Sequence, residues 1–171
     1  GLGIRIIKKT LKESGVRIEN IDAVFVTHDH ADHIKAVGHL ANDYDRLIYA
    51  TELVHSGINR NYCVTTKITD KHRRFVYIGD SLQLGDLTIT PFPVPHDSTE
   101  CVGYRIECDG TTFCLATDVG AITPAIEEAI YCANYLVLES NYDEKMLAKG
   151  NDPEYLNGRS TSGRGQLSNN Q

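Results

Sequence analysis

Val24-Phe25-Val26-Thr27-His28-Asp29-His30-Ala31-Asp32-His33 is the stretch on which the reading of this chain turns. Three of the chain's seven histidines fall within six residues, alternating with acids, directly after an apolar run. Imidazole and carboxylate are ligands that suit zinc, iron and manganese. The spacing has a geometric logic. In a strand, residues two apart point to the same side. If Ile21 to Thr27 is a strand, His28 and His30 reach one point in space. If a helix begins near Ala31, the chain turns there and carries Asp32 and His33 to a second point nearby. One short loop could thus serve two metal ions.

Around this motif the chain reads as an ordinary globular sequence. It has 171 residues, which suits one domain spanning 1–171, with 41% hydrophobic and 23% charged residues. No apolar run is long enough to span a bilayer, and no basic-then-apolar leader opens the sequence. It begins Gly-Leu-Gly rather than with Met, so a part of a longer chain is expected. The net charge of −6 argues against a surface coated in positive charge for nucleic acid, though not against a local groove. Lys67, Lys71, His72, Arg73 and Arg74 make one basic stretch, read first as a solvated loop or edge strand. The five cysteines form no C-x-x-C pair, so neither a disulfide framework nor a zinc knuckle is indicated. Free, mostly buried thiols fit a reducing cytoplasm.

The elements follow from periodicity and turn signals. Ile4, Ile7 and Leu11 share a helical face that Ser14-Gly15 ends. Residues 31–41 look helical, with Ile34 and Val37 inward and either Leu40 or Ala41 joining them. Leu47 to Ala50 is a short strand, with a short helix near Glu52 to Ser56. Phe75 to Ile78 and Leu87 to Phe92 read as strands around a Gly-Asp turn. Asp109-Gly110 marks a two-residue hairpin between Val102–Cys108 and Thr112–Thr117. That turn pairs Cys108 with Thr111 and Arg105 with Cys114, which puts Cys108 and Cys114 on opposite faces, unable to bond. Thr123-Pro124 starts a helix running to about Cys132. Tyr135 to Leu138 reads as a buried strand, Tyr142 to Lys149 as a further helix, and the chain from Gly150 as mostly loop. Mixed strands and helices, several strands joined by hairpins, point to an α/β protein with a mixed sheet.

Two more strand ends carry ligand types. Leu87 to Phe92 leaves through Pro93-Val94-Pro95 to His96-Asp97, and the prolines stiffen that exit against further pairing. Thr112 to Thr117 ends at Asp118-Val119-Gly120. Alone, His96 reads as a surface histidine and Asp118 as a turn residue. Beside the first cluster, both become ligand candidates, since functional residues gather at strand ends held by a rigid sheet.

The order His28-x-His30-x-Asp32-His33, then His96, then Asp118, resembles the metallo-β-lactamase superfamily. That resemblance implies a four-layer αββα sandwich. Leu138-Glu139-Ser140-Asn141-Tyr142-Asp143 and Arg164-Gly165-Gln166-Leu167-Ser168-Asn169 are similar to one branch, the bacterial WalJ (YycJ, VicX) group of cytoplasmic, metal-dependent DNA exonucleases. The implied roles are specific. His28, His30 and His96 would hold one ion, Asp32 and His33 the second, and Asp118 would bridge them. Where the family usually has a second-site His, this chain has Gln166, whose neutral amide oxygen is a poorer ligand, so the second site is expected to be weaker, differently filled or empty. The family also has strands before the first helix and more chain at the far end.

The implied chemistry is phosphodiester hydrolysis by a hydroxide bridging two zinc, manganese or iron ions, with Asp32 and Asp118 orienting it. DNA would be the substrate, with Arg164, Ser168 and Asn169 as candidate phosphate contacts, or simply parts of a polar loop. Asp29 is outside the ligand pattern and is either a partner of a ligand imidazole or a solvated acid. The rival readings are a small-molecule hydrolase acting on a cyclic phosphodiester, thioester or lactam, and a mononuclear enzyme or inactive metal-bound regulator. The sequence leaves open the native metal, the strand polarity and the oligomeric state.

Overall fold

The computed structural model describes residues 2–141 and 165–169. The expected helix at Tyr142–Lys149 lies outside the described residues, and so does the loop beginning at Gly150 apart from residues 165–169. Two compact units are present. The first comprises Gly1–Val76 with Ser98–Glu100, and the second Tyr77–Asp97 with Cys101–Gln171.

The first unit is built on a three-stranded parallel sheet in the order β1 (Ala23–Phe25), β2 (Leu47–Ala50), β3 (Arg73–Phe75). Parallel neighbours need crossover connections, and helices supply them. Helix α1 (Ile4–Glu13) lays Ile4, Ile7 and Leu11 against the core, as their spacing dictates. The helix expected over 31–41 is two pieces, α2 (Ala31–Ile34) and α3 (Val37–Asn42). Ile34, Val37, Leu40 and Ala41 are nevertheless all buried, so the break re-aims the chain without losing its apolar face. The short helix near Glu52 runs longer than expected, as α4 (Glu52–Arg60). The Thr51 hydroxyl caps it by accepting from the Val54 amide at 3.2 Å. Ile34, Ile48 and Val54 are fully buried in this core, each contributing about 1.5–3 kcal/mol of apolar burial.

The second unit holds a five-stranded sheet in the order β4 (Leu82–Leu84), β5 (Leu87–Pro93), β6 (Val102–Cys108), β7 (Thr111–Ala116), β8 (Tyr135–Leu138), antiparallel except for the β7–β8 pair. The hairpin register is the one the turn implies: Cys108 opposite Thr111 and Arg105 opposite Cys114. Asp109 and Gly110 both take positive φ, 48° and 73°, as a tight primed turn requires. Thr123 caps α5 (Pro124–Cys132), which packs on β5 and β7.

Four expectations need correcting. The first strand is shorter than Ile21–Thr27, so His28 and His30 leave the sheet on an open arm. Phe75–Ile78 is not a hairpin partner of β5. Its start belongs to β3 in the other sheet, and β5 pairs instead with β4, the three-residue run Leu82-Gln83-Leu84. Pro93 does not end the pairing, since Pro91 and Pro93 stand opposite Tyr104 and Val102. A proline can sit in an antiparallel ladder where its missing N–H is not needed, and the Pro91 carbonyl still accepts from the Gly79 amide at 2.9 Å. Finally, β8 is not a buried strand. Tyr135 is 65% exposed, because among the described residues β8 has β7 as its sole neighbour and lies at the sheet's edge.

All five cysteines are free, and of these Cys101 and Cys114 are buried, while Cys132 is exposed. The basic stretch is knitted into local pairs. His72 is buried against the Asp45 carboxylate at 2.8 Å and the Thr69 hydroxyl at 2.7 Å, Lys71 meets Asp45 at 3.3 Å, and Arg73 meets Asp70 at 3.0 Å. It does not make a continuous phosphate track. No helix among the described residues is long and apolar enough to cross a membrane.

Candidate functional site

In the first unit, the arm leaving β1 gathers three imidazoles. His28 is fully buried. Its ring centre lies 4.8 Å from that of His30, at 83°, and 4.1 Å from that of His33. Two imidazoles bound at roughly 2.0–2.1 Å in tetrahedral geometry hold their ring centres about 5 Å apart, so the His28–His30 spacing fits a shared ion. The Thr27 hydroxyl lies 3.0 Å from His28 Nδ1 and fixes the ring's tilt, so ligation by His28 falls to Nε2. His30 has extended backbone and α2 starts at the next residue, which is how His33 is brought back beside His28. Asp32, on α2, is largely exposed, with its Oδ2 at 3.4 Å from His33 Nε2.

Asp29, between His28 and His30, sets its carboxylate against α4, where a Cβ on Gly57 would meet its Oδ2 at 1.8 Å. Its carboxylate accepts from the Thr99 amide at 3.2 Å and the Thr99 hydroxyl at 2.6 Å. It is thus neither a simple solvated acid nor a carboxylate given over to a ligand imidazole.

The second unit carries a different set. His96 Nδ1 lies 3.1 Å from the Gly165 carbonyl. A carbonyl only accepts, so Nδ1 bears the proton and Nε2 keeps its lone pair, the arrangement a ligand histidine needs. His96 Nε2 is 3.9 Å from Asp118 Oδ1 and 3.5 Å from Asp97 Oδ1. Asp118 takes φ of 54°, a left-handed conformation that Asp tolerates better than most residues. A ring of hydrogen bonds holds it there. The Asp118 amide donates to Glu139 Oε2 at 2.7 Å, Asn141 Nδ2 donates to Glu139 Oε1 at 2.7 Å, Gln166 Oε1 accepts from Asn141, and Gln166 Nε2 donates to Asp118 Oδ1 at 3.0 Å. Gln166 therefore spends both ends of its amide on neighbours. Ser168 is 1% exposed. Asn169 is exposed and accepts from the Ser140 hydroxyl at 3.0 Å. Arg164 lies outside the described residues.

The donor chemistry of both sets suits a divalent ion, and His28, His30, His33, His96 and Asp118 are all of the kind that could hold one. Sequence reasoning missed the supports: Thr27, Thr99, Glu139 and Asn141. Glu139 and Asn141 did stand in the Leu138–Asp143 stretch that carried the family resemblance, but nothing in spacing alone ties them to Asp118.

The chain belongs to the β-lactamase superfamily: that domain matches residues 4–163. The resemblance to the nuclease branch is borne out as well. The chain is 31% identical over 170 residues to a Bacillus anthracis protein named exodeoxyribonuclease YycJ, covering 99% of this chain and 63% of that protein. It is 31% identical over 169 residues to exodeoxyribonuclease WalJ of Streptococcus pneumoniae, covering 99% of this chain and 62% of that one. The chain thus spans somewhat less than two thirds of the length of these relatives. Among solved structures, the metallo-β-lactamase fold protein YhfI of Bacillus subtilis aligns with a TM-score of 0.68 at 22% identity, covering 98% of this chain and 63% of that one. The zinc-bound PqqB of Methylobacterium extorquens aligns with a TM-score of 0.66 at 20% identity, covering 78% and 51%. These two establish the fold: mixed α/β of the metallo-β-lactamase type.

Proposed function

We propose that this chain is the catalytic domain of a metal-dependent phosphodiesterase acting on DNA ends, with both units forming a single domain. The observation that carries the reading is the trio of imidazoles crowded around a fully buried His28. The names of the relatives, exodeoxyribonucleases, supply the substrate class.

In this reading His28, His30 and His96 would hold one ion, Asp32 and His33 would hold a second, and Asp118 would serve both. Two divalent ions at such a site lower the pKa of water, clamp phosphoryl oxygens and offset charge on the attacking and leaving oxygens. The chain's own residues set the stage for that chemistry. The Gly165 carbonyl keeps the His96 proton on Nδ1, and Thr27 fixes the tilt of His28. Glu139 holds the Asp118 main chain, while Gln166 donates to one of its carboxylate oxygens and orients it. Gln166 would offer its amide oxygen to a weak second site only by giving up or sharing the bond it accepts from Asn141, which favours unequal affinity of the two sites for zinc, manganese or iron. Asp32 and Asp118 accept hydrogen bonds from the attacking water and so orient it. Asn169 and Arg164 are the candidate phosphate contacts, and Ser168, being buried, is a poorer one. A cytoplasmic location accords with the free thiols and a DNA substrate.

The test is an assay of the purified protein with manganese or zinc on linear DNA labelled at either end. Progressive loss of label from the ends is expected. Intact DNA together with cleavage of a cyclic phosphodiester, thioester or lactam would move the assignment to a small-molecule hydrolase.

A further inference from the structure

We infer that Asp29 is a positioning residue, the handle by which the arm bearing His28 and His30 is locked in shape before any metal arrives. The inference rests on the metal-binding reading above for its purpose, but not for its geometry. In extended chain the side chain between two ligands emerges on the opposite side from both. That makes residue 29 the natural place to grip the arm from behind, and three contacts do so.

The first is the carboxylate, held by two donors of one residue. The Thr99 amide lies 3.2 Å from Oδ1 and its hydroxyl 2.6 Å from Oδ2. Bonds to an ionised acceptor are shorter and about twice as strong as neutral ones, and 2.6 Å is within their usual range of about 2.5–2.7 Å for a hydroxyl donor. The second is the main chain. Asn61 Nδ2, at the C-terminal end of α4, donates to the Asp29 carbonyl at 3.1 Å. The third is steric. Gly57, one turn back in α4, lies so close that a Cβ there would sit 1.8 Å from Asp29 Oδ2 and 2.7 Å from its Cβ. A short side chain such as Asp cannot swing clear of that clash without moving the backbone, so α4 must present glycine. Side chain, carbonyl and Cβ of one residue are thus fixed by two separate segments, 57–61 and 99. Partners that orient ligands from behind commonly change metal affinity by 10–100-fold when removed.

The experiment uses the full chain and two readouts. In metal-free protein, amide hydrogen exchange across residues 28–33 is followed for the parent, Thr99→Val, Thr99→Ser and Asp29→Asn. Thr99→Val keeps the amide donor and removes the hydroxyl, while Thr99→Ser keeps both. Exchange of the arm is expected to speed up about tenfold or more in Thr99→Val and Asp29→Asn, and to return to the parent rate in Thr99→Ser, with the melting temperature little changed. In the second readout, zinc affinity by chelator competition falls about 10–100-fold in the same two variants and recovers in Thr99→Ser. The visible absorption of the cobalt-loaded protein shifts in parallel. Parent-like exchange in Thr99→Val and Asp29→Asn would overturn the inference, and so would a Thr99→Ser variant as loose as Thr99→Val. If the parent binds no zinc, the metal reading fails, while the exchange rates still decide whether Asp29 locks the arm.

Discussion

The histidine arm of the first unit and the His96–Asp118 pair of the second are organised in opposite ways. The arm is continuous in sequence: its ligand candidates sit within six residues, and its supports come from behind, through Asp29. The pair is assembled from residues 22 positions apart, and Asp118 depends on Glu139, Asn141 and Gln166 further along. The contrast teaches that a metal ligand set can be built by local chain geometry or by a side-chain network. In the first, the supports are separate contacts, from Thr27, Asn61 and Thr99. The second is a closed ring in which each member depends on its neighbours.

The largest effect should come from removing a proposed ligand on either side. His28→Ala and Asp118→Ala should each lower nuclease turnover on the order of 10³-fold with far-UV circular dichroism unchanged. Full activity in one variant would break the symmetry between arm and pair and confine the site to the other half.

Next should come the network itself. Glu139→Gln replaces one acceptor oxygen with a donor, so either the Asp118 amide or Asn141 loses its bond. Activity is expected to fall about 10–100-fold, with metal content reduced rather than abolished. Thr27→Val, which removes a single local support of His28, should cost less. The reverse order would show that the arm, not the pair, is the more fragile half. A Gln166→His variant sharpens the same point: supplying an imidazole should tighten the weaker metal equivalent about tenfold, at the expense of the bond to Asp118.

The units can also be compared through their tightest backbone approaches. A Cβ at Gly38 would sit 1.6 Å from the Thr66 carbonyl oxygen, and one at Gly103 2.3 Å from the Phe92 ring and 2.7 Å from the Leu115 carbonyl. Gly103→Ala should destabilise the second unit by about 1–3 kcal/mol, since its hardest clash is with a ring that can shift, and Gly38→Ala should cost more, since it meets main chain at 1.6 Å. Denaturant melts of both variants would rank them.

The smallest effect concerns the thiols. Burial first, and then the neighbouring Cys132 thiol, push Cys114 up to about 12. A thiol raised in the folded state favours folding fully below its unfolded pKa, about 8.5, and that contribution is lost as pH rises through the raised value. Cys114→Ala should therefore show a flatter decline of melting temperature between pH 8 and 11 than the parent. Exposed Cys132 should be alkylated in the folded protein while Cys114 is not.

What was legible in the sequence follows the same division. The 28–33 motif, the Asp109-Gly110 hairpin with its register, and the helix start at Thr123-Pro124 were readable because each is decided within a few residues. The break between α2 and α3 was not, since the apolar pattern runs through it. The strand β4 and the placement of β3 were not, because the alternation of Leu82-Gln83-Leu84 is too short to stand out and sheet membership is settled by tertiary pairing. The Pro93 pairing depends on which positions of the ladder need an N–H, which sequence does not display. Burial of β8 was misread because an apolar run of four looks the same at a sheet's edge as at its centre. The role of Asp29 lay beyond reach for a similar reason: Thr99 is 70 residues away.

The most direct test of the central claim is the metal content of freshly purified protein, measured by atomic emission for the parent, His30→Ala and His96→Ala. If both arm and pair serve divalent ions, the parent carries bound metal and each substitution reduces it to less than half. A parent without metal, or a full complement retained in either variant, would contradict the account.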